Sequence, residues 1–184
     1  YKITFVSSGG GTNAISSLLK VPGASNTILE SYIPYSKKSM DLFLNQKPDQ
    51  YCSLDTCLSM AANAYKKCMD IDKDCNKKYL IGVAVTASLA TTYTKIGDHK
   101  FYITIQTESF TKSLECILKK GSRSREEEEE LITEYVLCLL SECCGLKKEM
   151  PIHEEQIEIT TIKAEKSWKK LLNNEVNFIS NNRG

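Results

Sequence analysis

The chain has no excess of one charge: 24 Lys and Arg nearly cancel 23 Asp and Glu over 184 residues. Without a net field, attraction to nucleic acid or to an anionic membrane surface is not expected. Long apolar runs are also missing. No stretch approaches the roughly 20 residues needed to cross a bilayer, and the first residues carry no signal-peptide pattern, so no membrane partner and a cytoplasmic location are expected. Histidine is scarce, at two residues. The eight cysteines, Cys52, Cys57, Cys68, Cys75, Cys116, Cys138, Cys143 and Cys144, invite a zinc or disulfide reading, but few histidines accompany them. Several fall on predicted helices, where small thiols pack in cores, so reduced structural cysteines are expected and neither metal nor cofactor.

The length suits one α/β domain with a full core and a tail. Ile3, Phe5 and Val6 read as a buried strand, and Ala14, Ile15, Leu18 and Leu19 as a helical stripe, with Thr12 as the N-cap between them. The intervening turn, Val6-Ser7-Ser8-Gly9-Gly10-Gly11-Thr12, leaves a strand end and opens a helix. Its glycines let backbone N–H groups converge on an anion at the helix N-terminus, although glycines at a βα turn also serve plain close packing.

Residues 27–33 read as a strand. Ser36 caps a short helix through Leu44, and Ser53 with Asp55 opens a longer one through Cys68. The apolar face of that second helix is Leu54, Cys57, Leu58, Ala61, Ala62 and Tyr65. Residues 79–86 have the continuous apolar character of a strand buried on both faces. Residues 101–107 and 114–118 alternate as a hairpin turning near Ser109. Ser124 and Glu127 make an S-x-x-E capping box for the longest helix, which carries Leu131, Tyr135, Cys138 and Leu139 inward and ends at Gly145. The acidic run at 126–130 reads as a solvated face, with a divalent-cation site as the sharper and weaker alternative. Met150-Pro151 marks a boundary. Beyond it Ile157 and Ile159 alternate with polar residues, and residues 164–172 form a helix presenting Trp168, Leu171 and Leu172 before a polar tail at 173–184.

Three blocks carry a family resemblance. The glycine turn is followed by Val21-Pro22-Gly23-Ala24-Ser25 and Thr27-Ile28-Leu29-Glu30-Ser31-Tyr32-Ile33-Pro34-Tyr35-Ser36. Later come Gly82-Val83-Ala84-Val85-Thr86-Ala87-Ser88-Leu89-Ala90 and Lys95-Ile96-Gly97-Asp98-His99-Lys100. In this order they resemble the CinA C-terminal domain family, whose characterised bacterial members are nicotinamide mononucleotide deamidases. The likeness covers most of residues 3–144 and looks closest to a eukaryotic branch carrying GGG-T/S, PGAS, PYS and TASLA. It implies a three-layer α/β/α sandwich with a mixed, mostly parallel central sheet over residues 1–146, and an extension or linker over 147–184. In that branch a nucleotidyltransferase domain follows, and the family has a helix before its first strand, so the chain is expected to be part of a longer protein. A small-molecule nucleotide partner and a homo-oligomer, to which Trp168 could contribute, are implied as well.

Deamidation hydrolyses a carboxamide and needs a nucleophile, a base for its proton and donors for the oxyanion. The resemblance places the nucleophile at Ser8. The family's partner lysine, five residues after the tyrosine kept here as Tyr35, falls on Met40, which cannot accept a proton. Lys37, one helical turn earlier, is the local substitute. Where bacterial relatives have TG-x-AGP, this chain has Thr86-Ala87-Ser88-Leu89-Ala90-Thr91-Thr92, which keeps Thr86 but loses the glycine and proline turn chemistry. The catalytic candidates are therefore Ser8, Tyr35, Lys37 and Thr86. The ligand-binding candidates are Gly9, Gly10, Gly11, Thr12, Lys95, Arg123 and Arg125, with His99 read as a packing or surface residue. The expectation is a degenerate amidohydrolase that binds or regulates. The alternatives are an active deamidase using Lys37 and a structural or oligomerisation domain.

Overall fold

A computed structural model of the protein describes residues 1–93, 95–152, 154–173 and 175–177. The chain runs β1 (Lys2–Ser8), α1 (Thr12–Leu19), β2 (Ile28–Tyr32), α2 (Lys37–Leu44), α3 (Leu54–Ile71), β3 (Leu80–Ser88), β4 (His99–Gln106), β5 (Phe110–Leu118), α4 (Arg125–Cys143), β6 (Ile157–Lys163) and α5 (Lys166–Leu172). The Leu172 side chain and most of the predicted polar tail lie outside the described residues.

The helix starts follow local chemistry. Ser36 and Ser53 accept hydrogen bonds from the backbone N–H of Ser39 and Thr56, each satisfying a donor that the first helical turn leaves free. Ser124 and Glu127 form the reciprocal capping box expected for α4. At α1 the expectation fails: Gly11, at φ 89°, is the N-cap, Thr12 is the first helical residue, and no side chain of α1 caps it.

Glu127 carries a testable consequence of this capping. The backbone N–H and hydroxyl of Ser124 hold its carboxyl below the usual value of 4.5. A carboxyl with a depressed folded pKa adds stability above its unfolded pKa and loses it as pH falls through the folded value. Ser124→Ala should therefore raise the Glu127 midpoint in an NMR titration. The same change should lower Tm by about 2–4 °C at neutral pH, the worth of one helix cap in a domain of this size, with a smaller difference in acid.

The six strands form one sheet in the order β2-β1-β3-β4-β5-β6. It is mixed, as expected, but it is not mostly parallel. β1 pairs in parallel with β2 and β3, whereas β3–β4, β4–β5 and β5–β6 are antiparallel. The cause is topological. The β1–β2 and β2–β3 connections run through helices, as parallel crossovers require, whereas the β4–β5 connection is a tight turn closed by Thr107 N–H donating to the Phe110 carbonyl, and β6 returns antiparallel to β5 after α4.

Alternation along the strands divides the core. Ile3, Phe5, Val83, Val85, Phe101, Ile103, Ile105 and Leu114 pack with Ala14 and Ile15 of α1 and with Leu131, Ile132, Tyr135 and Leu139 of α4. On the other face Val6 and Ala84 meet Met40 and Leu44 of α2 and Cys57, Met60, Ala61 and Ala64 of α3. Each large apolar side chain fully buried this way stabilises the fold by about 1.5–3 kcal/mol. The buried face of α3 is rotated from the predicted one: Leu54, Leu58 and Ala62 are only half-buried, while Met60, Ala64 and Cys68 turn inward.

Residues past 146 are tied to this domain. β6 extends the sheet along β5, and the Cys138 thiol donates to the Lys148 carbonyl at 3.1 Å. The eight cysteines are unbridged, and Cys57 and Cys68 place their thiols 3.5 and 3.3 Å from the carbonyls of Ala84 and Ile81. Burial pushes the Cys57 thiol up to about 12, which suits a packing role. No helix among the described residues is long and apolar enough to cross a membrane.

Candidate functional site

The crossovers that leave β1 and enter β3 run through helices on opposite faces of the sheet, α1 on one and α3 on the other. Such a switch point leaves a crevice beyond the carboxyl ends of the two strands, where α/β sheets bind ligands. Ser8 at the end of β1 lies in register with Thr86 of β3 at this place.

On the α2 side is a cavity of about 280 Å³ lined by Ser8, Gly9, Tyr35, Lys37, Met40, Tyr51, Cys52 and Thr86 among others. It brings the four catalytic candidates together. Two of its hydroxyls, however, are committed to backbone acceptors: Ser8 Oγ donates to the Pro34 carbonyl at 3.1 Å and Thr86 Oγ1 to the Tyr51 carbonyl at 2.9 Å. A carbonyl orients a hydroxyl without being able to take its proton at neutral pH. The Lys37 ammonium lies 5.6 Å above the Tyr51 ring and makes no hydrogen bond to Ser8. Met40, at 1% exposure, is part of the α2–α3 core. Tyr35 is 67% exposed.

Cys52 was not among the sequence candidates. No pattern near it points to a site, because its neighbours in the cavity arrive from β1, α2 and β3. Burial pushes its thiol above the ordinary value, although Lys100 and Lys95 pull the other way. It is a protonated thiol and not a ready nucleophile.

The glycine turn meets a carboxylate of the same chain. Its anion is supplied from within: the Glu129 carboxylate of α4 accepts from Gly11 N–H at 2.7 Å, Thr12 Oγ1 at 2.9 Å and Asn13 N–H at 3.1 Å. This occupies the N-terminus of α1, where a phosphate would sit in the ligand reading. The glycines themselves serve close packing. A Cβ on Gly9 would overlap the Ala87 carbonyl, one on Gly10 would lie 2.7 Å from Leu89 Cδ1, and one on Gly11 2.8 Å from Val85 Cγ1.

The acidic run is correspondingly not just a solvated face. Glu128 is fully buried, accepting from Ala90 N–H at 2.6 Å and facing His99 Nδ1 at 2.7 Å. His99 is itself buried against this carboxyl, in a packing position. Among the described residues no group of three His, Cys, Asp or Glu side chains is arranged to hold a metal.

On the far side of the turn lies a larger cavity of about 610 Å³, lined by Ala90, Thr91, Thr92, Tyr93, Lys95, His99, Lys120, Gly121, Arg123, Ser124 and Arg125. It gathers the three cationic ligand-binding candidates. Arg123 is paired bidentately with Glu155, which raises its pKa. Arg125 donates to the Gly9 carbonyl at 3.0 Å and the Ala90 carbonyl at 3.2 Å, so it forms the ridge between the two cavities. Lys95 Nζ lies 2.6 Å from Ser88 Oγ and 3.0 Å from the Leu89 carbonyl. The lysine–serine contact that the fold does provide is therefore at Ser88, not at Ser8.

These features define an α/β domain with a two-part crevice at the switch point of a mixed sheet. The fold is shared with solved proteins of the CinA superfamily. The structure is similar to the competence/damage inducible protein CihA from Agrobacterium tumefaciens, with a TM-score of 0.61 and 16% identity over 78% of this chain and 85% of that one. It is also similar to a CinA superfamily protein from Enterobacter cloacae, with a TM-score of 0.61 and 15% identity over 76% of this chain and 79% of that one. The corresponding Escherichia coli protein gives a TM-score of 0.56 and 14% identity over 76% of this chain and 78% of that one. At such identities the likeness is one of fold. No family model matches the chain, and no curated protein does.

Proposed function

We propose that this CinA-like domain is a degenerate amidohydrolase that holds a nucleotide in the crevice without hydrolysing it, as a binding or regulatory module. The observation that carries this reading is the state of Ser8. Its hydroxyl is turned to the Pro34 carbonyl, and among the described residues no amine is bonded to it. Acyl transfer needs a group that can take the serine proton within about 3.2 Å or through one water. Lys37 is spent on the Tyr51 ring, and the position that supplies the lysine in the resembled family is a buried methionine.

Binding still has support. The small cavity offers Tyr35, Tyr51 and Thr86 around a space of about 280 Å³, and across the Arg125 ridge lies the cationic cavity of about 610 Å³. The larger of the two is within the size range of small-molecule pockets. The test is calorimetry with nicotinamide mononucleotide beside an ammonia-release assay. Binding with ammonia at background is expected. Ammonia release abolished by Ser8→Ala would overturn the reading in favour of an active deamidase, and the absence of binding by nicotinamide mononucleotide and other nucleotides would leave only a structural role.

A further inference from the structure

Strand β6 ends the sheet with no cover of its own. All seven of its residues are exposed, and no strand among the described residues pairs with its outer edge. The opposite edge strand, β2, is half-buried along its whole length. Soluble proteins usually blunt such an edge with a proline, a bulge or an inward-pointing charge, because its unpaired N–H and carbonyl groups invite another strand. β6 contains no proline, and its pairing with β5 runs without a break in register. Ile157, Ile159 and Ile162 remain 37%, 39% and 62% exposed on it. The strand also lies beyond residues 3–144, which carry the CinA-like motif blocks, and so belongs to the extension of this chain.

Charge along this edge is divided by sign. Glu154 and Glu158 mark its leading end, whereas Lys163, Lys166, Lys169 and Lys170 mark its trailing end, where Glu165 is the one acid. Glu155 is taken by Arg123, but none of these other side chains forms an ion pair with another described residue. Two copies of β6 aligned in parallel would set like charge beside like. Aligned antiparallel, each acidic end lies beside a basic one, and the match is made twice. The strand is therefore complementary in charge to itself, in one orientation only.

We propose that β6 is the docking edge for a second copy of this chain, the two strands pairing antiparallel about a twofold axis at Thr160 so that one sheet runs through both copies. Side chains alternate between the faces of a strand, so a twofold-symmetric sheet must set even positions opposite even and odd opposite odd. Centring on Thr160 does this. Thr160 faces its own copy, Glu158 faces Ile162, Ile157 faces Lys163, and Ile159 is a diagonal neighbour of Ile159 of the second copy. The same alignment carries the lysines that follow β6 to the Glu154 end of the other copy. An isologous contact of this kind closes at two and leaves no open edge at β6.

The experiment is sedimentation equilibrium of the full chain over a micromolar concentration series at low and high salt. A reversible dimer is expected, weakening as salt rises. Two charge-reversed variants, Glu154→Lys with Glu158→Lys and Lys163→Glu with Lys166→Glu, should each raise the dissociation constant at least tenfold, because like charges then meet at both ends. An equimolar mixture of the two should restore association, since each reversed end finds its complement on the other variant, and that recovery also shows both to be folded. Ile159→Lys, between the charged ends, should weaken the dimer without recovery in the mixture. A chain that stays monomeric throughout would overturn the proposal and leave the edge to a strand of another protein. A dimer unmoved by either charge reversal would place the contact on another surface and overturn it as well. Two weakened variants that fail to recover on mixing would rule out the antiparallel arrangement.

Discussion

Gly9→Ala is expected to lower the unfolding free energy by about 3 kcal/mol or more, and to abolish ligand binding in the crevice, because two independent costs meet at that residue. The backbone there has φ 79°, a left-handed conformation that costs a side-chain-bearing residue about 1–2 kcal/mol. The new Cβ would also overlap the backbone oxygen of Ala87, which cannot turn away as a side chain could. Relief requires β1 and β3 to separate at the end where Ser8 and Thr86 are paired. Overpacking of this kind typically adds about 1–3 kcal/mol. Arg125 donates to the Gly9 carbonyl, so the ridge between the two cavities would shift as well. Gly121→Ala is the control. Its φ is 74°, but nothing lies within 4 Å of the added Cβ. It should therefore show the backbone strain alone, about 1–2 kcal/mol. Urea denaturation of both variants gives the comparison. Equal losses would mean that the contact with Ala87 is not a constraint on the turn.

What could be read in the chain was whatever is settled by neighbours in sequence. Ser36, Ser53 and the Ser124/Glu127 box act within three residues, and all three cap the helices they were expected to cap. The β4–β5 hairpin, turning at Ser109, was legible for the same reason. The CinA-like fold was legible from the order of its motif blocks. The sheet's balance of parallel and antiparallel pairs was not, because it depends on which strand the chain visits after β3 and not on local periodicity.

The site divides along the same line. The clustering of Ser8, Tyr35, Lys37 and Thr86 in one cavity follows from the strand and helix ends that carry them. The direction of Lys37 is decided by Tyr51, fourteen positions away, and was not legible. Within the run Glu126–Glu130 every residue looks alike as a string. Helical geometry turns each by about 100°, so Glu128 points into the core beside His99 while Glu129 reaches the start of α1.

Glu129→Ala is expected to cost about 2–3 kcal/mol of stability, a large effect for a residue that reads as part of a solvated acidic run. α1 begins at Thr12 after Gly11 with no side-chain cap from its own sequence, so its first N–H groups depend on an outside acceptor. Glu129 supplies one carboxylate to Gly11 N–H, Asn13 N–H and the Thr12 hydroxyl. Charge-assisted bonds of this kind contribute about 1.5–3 kcal/mol each when buried, and exposure at Thr12 and Asn13 reduces the sum because water can replace the acceptor there. The negative charge also sits at the favourable end of the α1 dipole, worth about 0.3–1 kcal/mol. Glu129→Gln retains an acceptor oxygen but loses the charge, so an intermediate loss is expected. Glu126→Ala, which removes a neighbouring charge with no hydrogen bond to α1, should change stability by less than about 0.5 kcal/mol. Chemical denaturation of the three variants ranks them. If Glu129→Ala behaved like Glu126→Ala, the carboxylate would not be the cap of α1, and the N-terminus of that helix would be open to a ligand's phosphate after all.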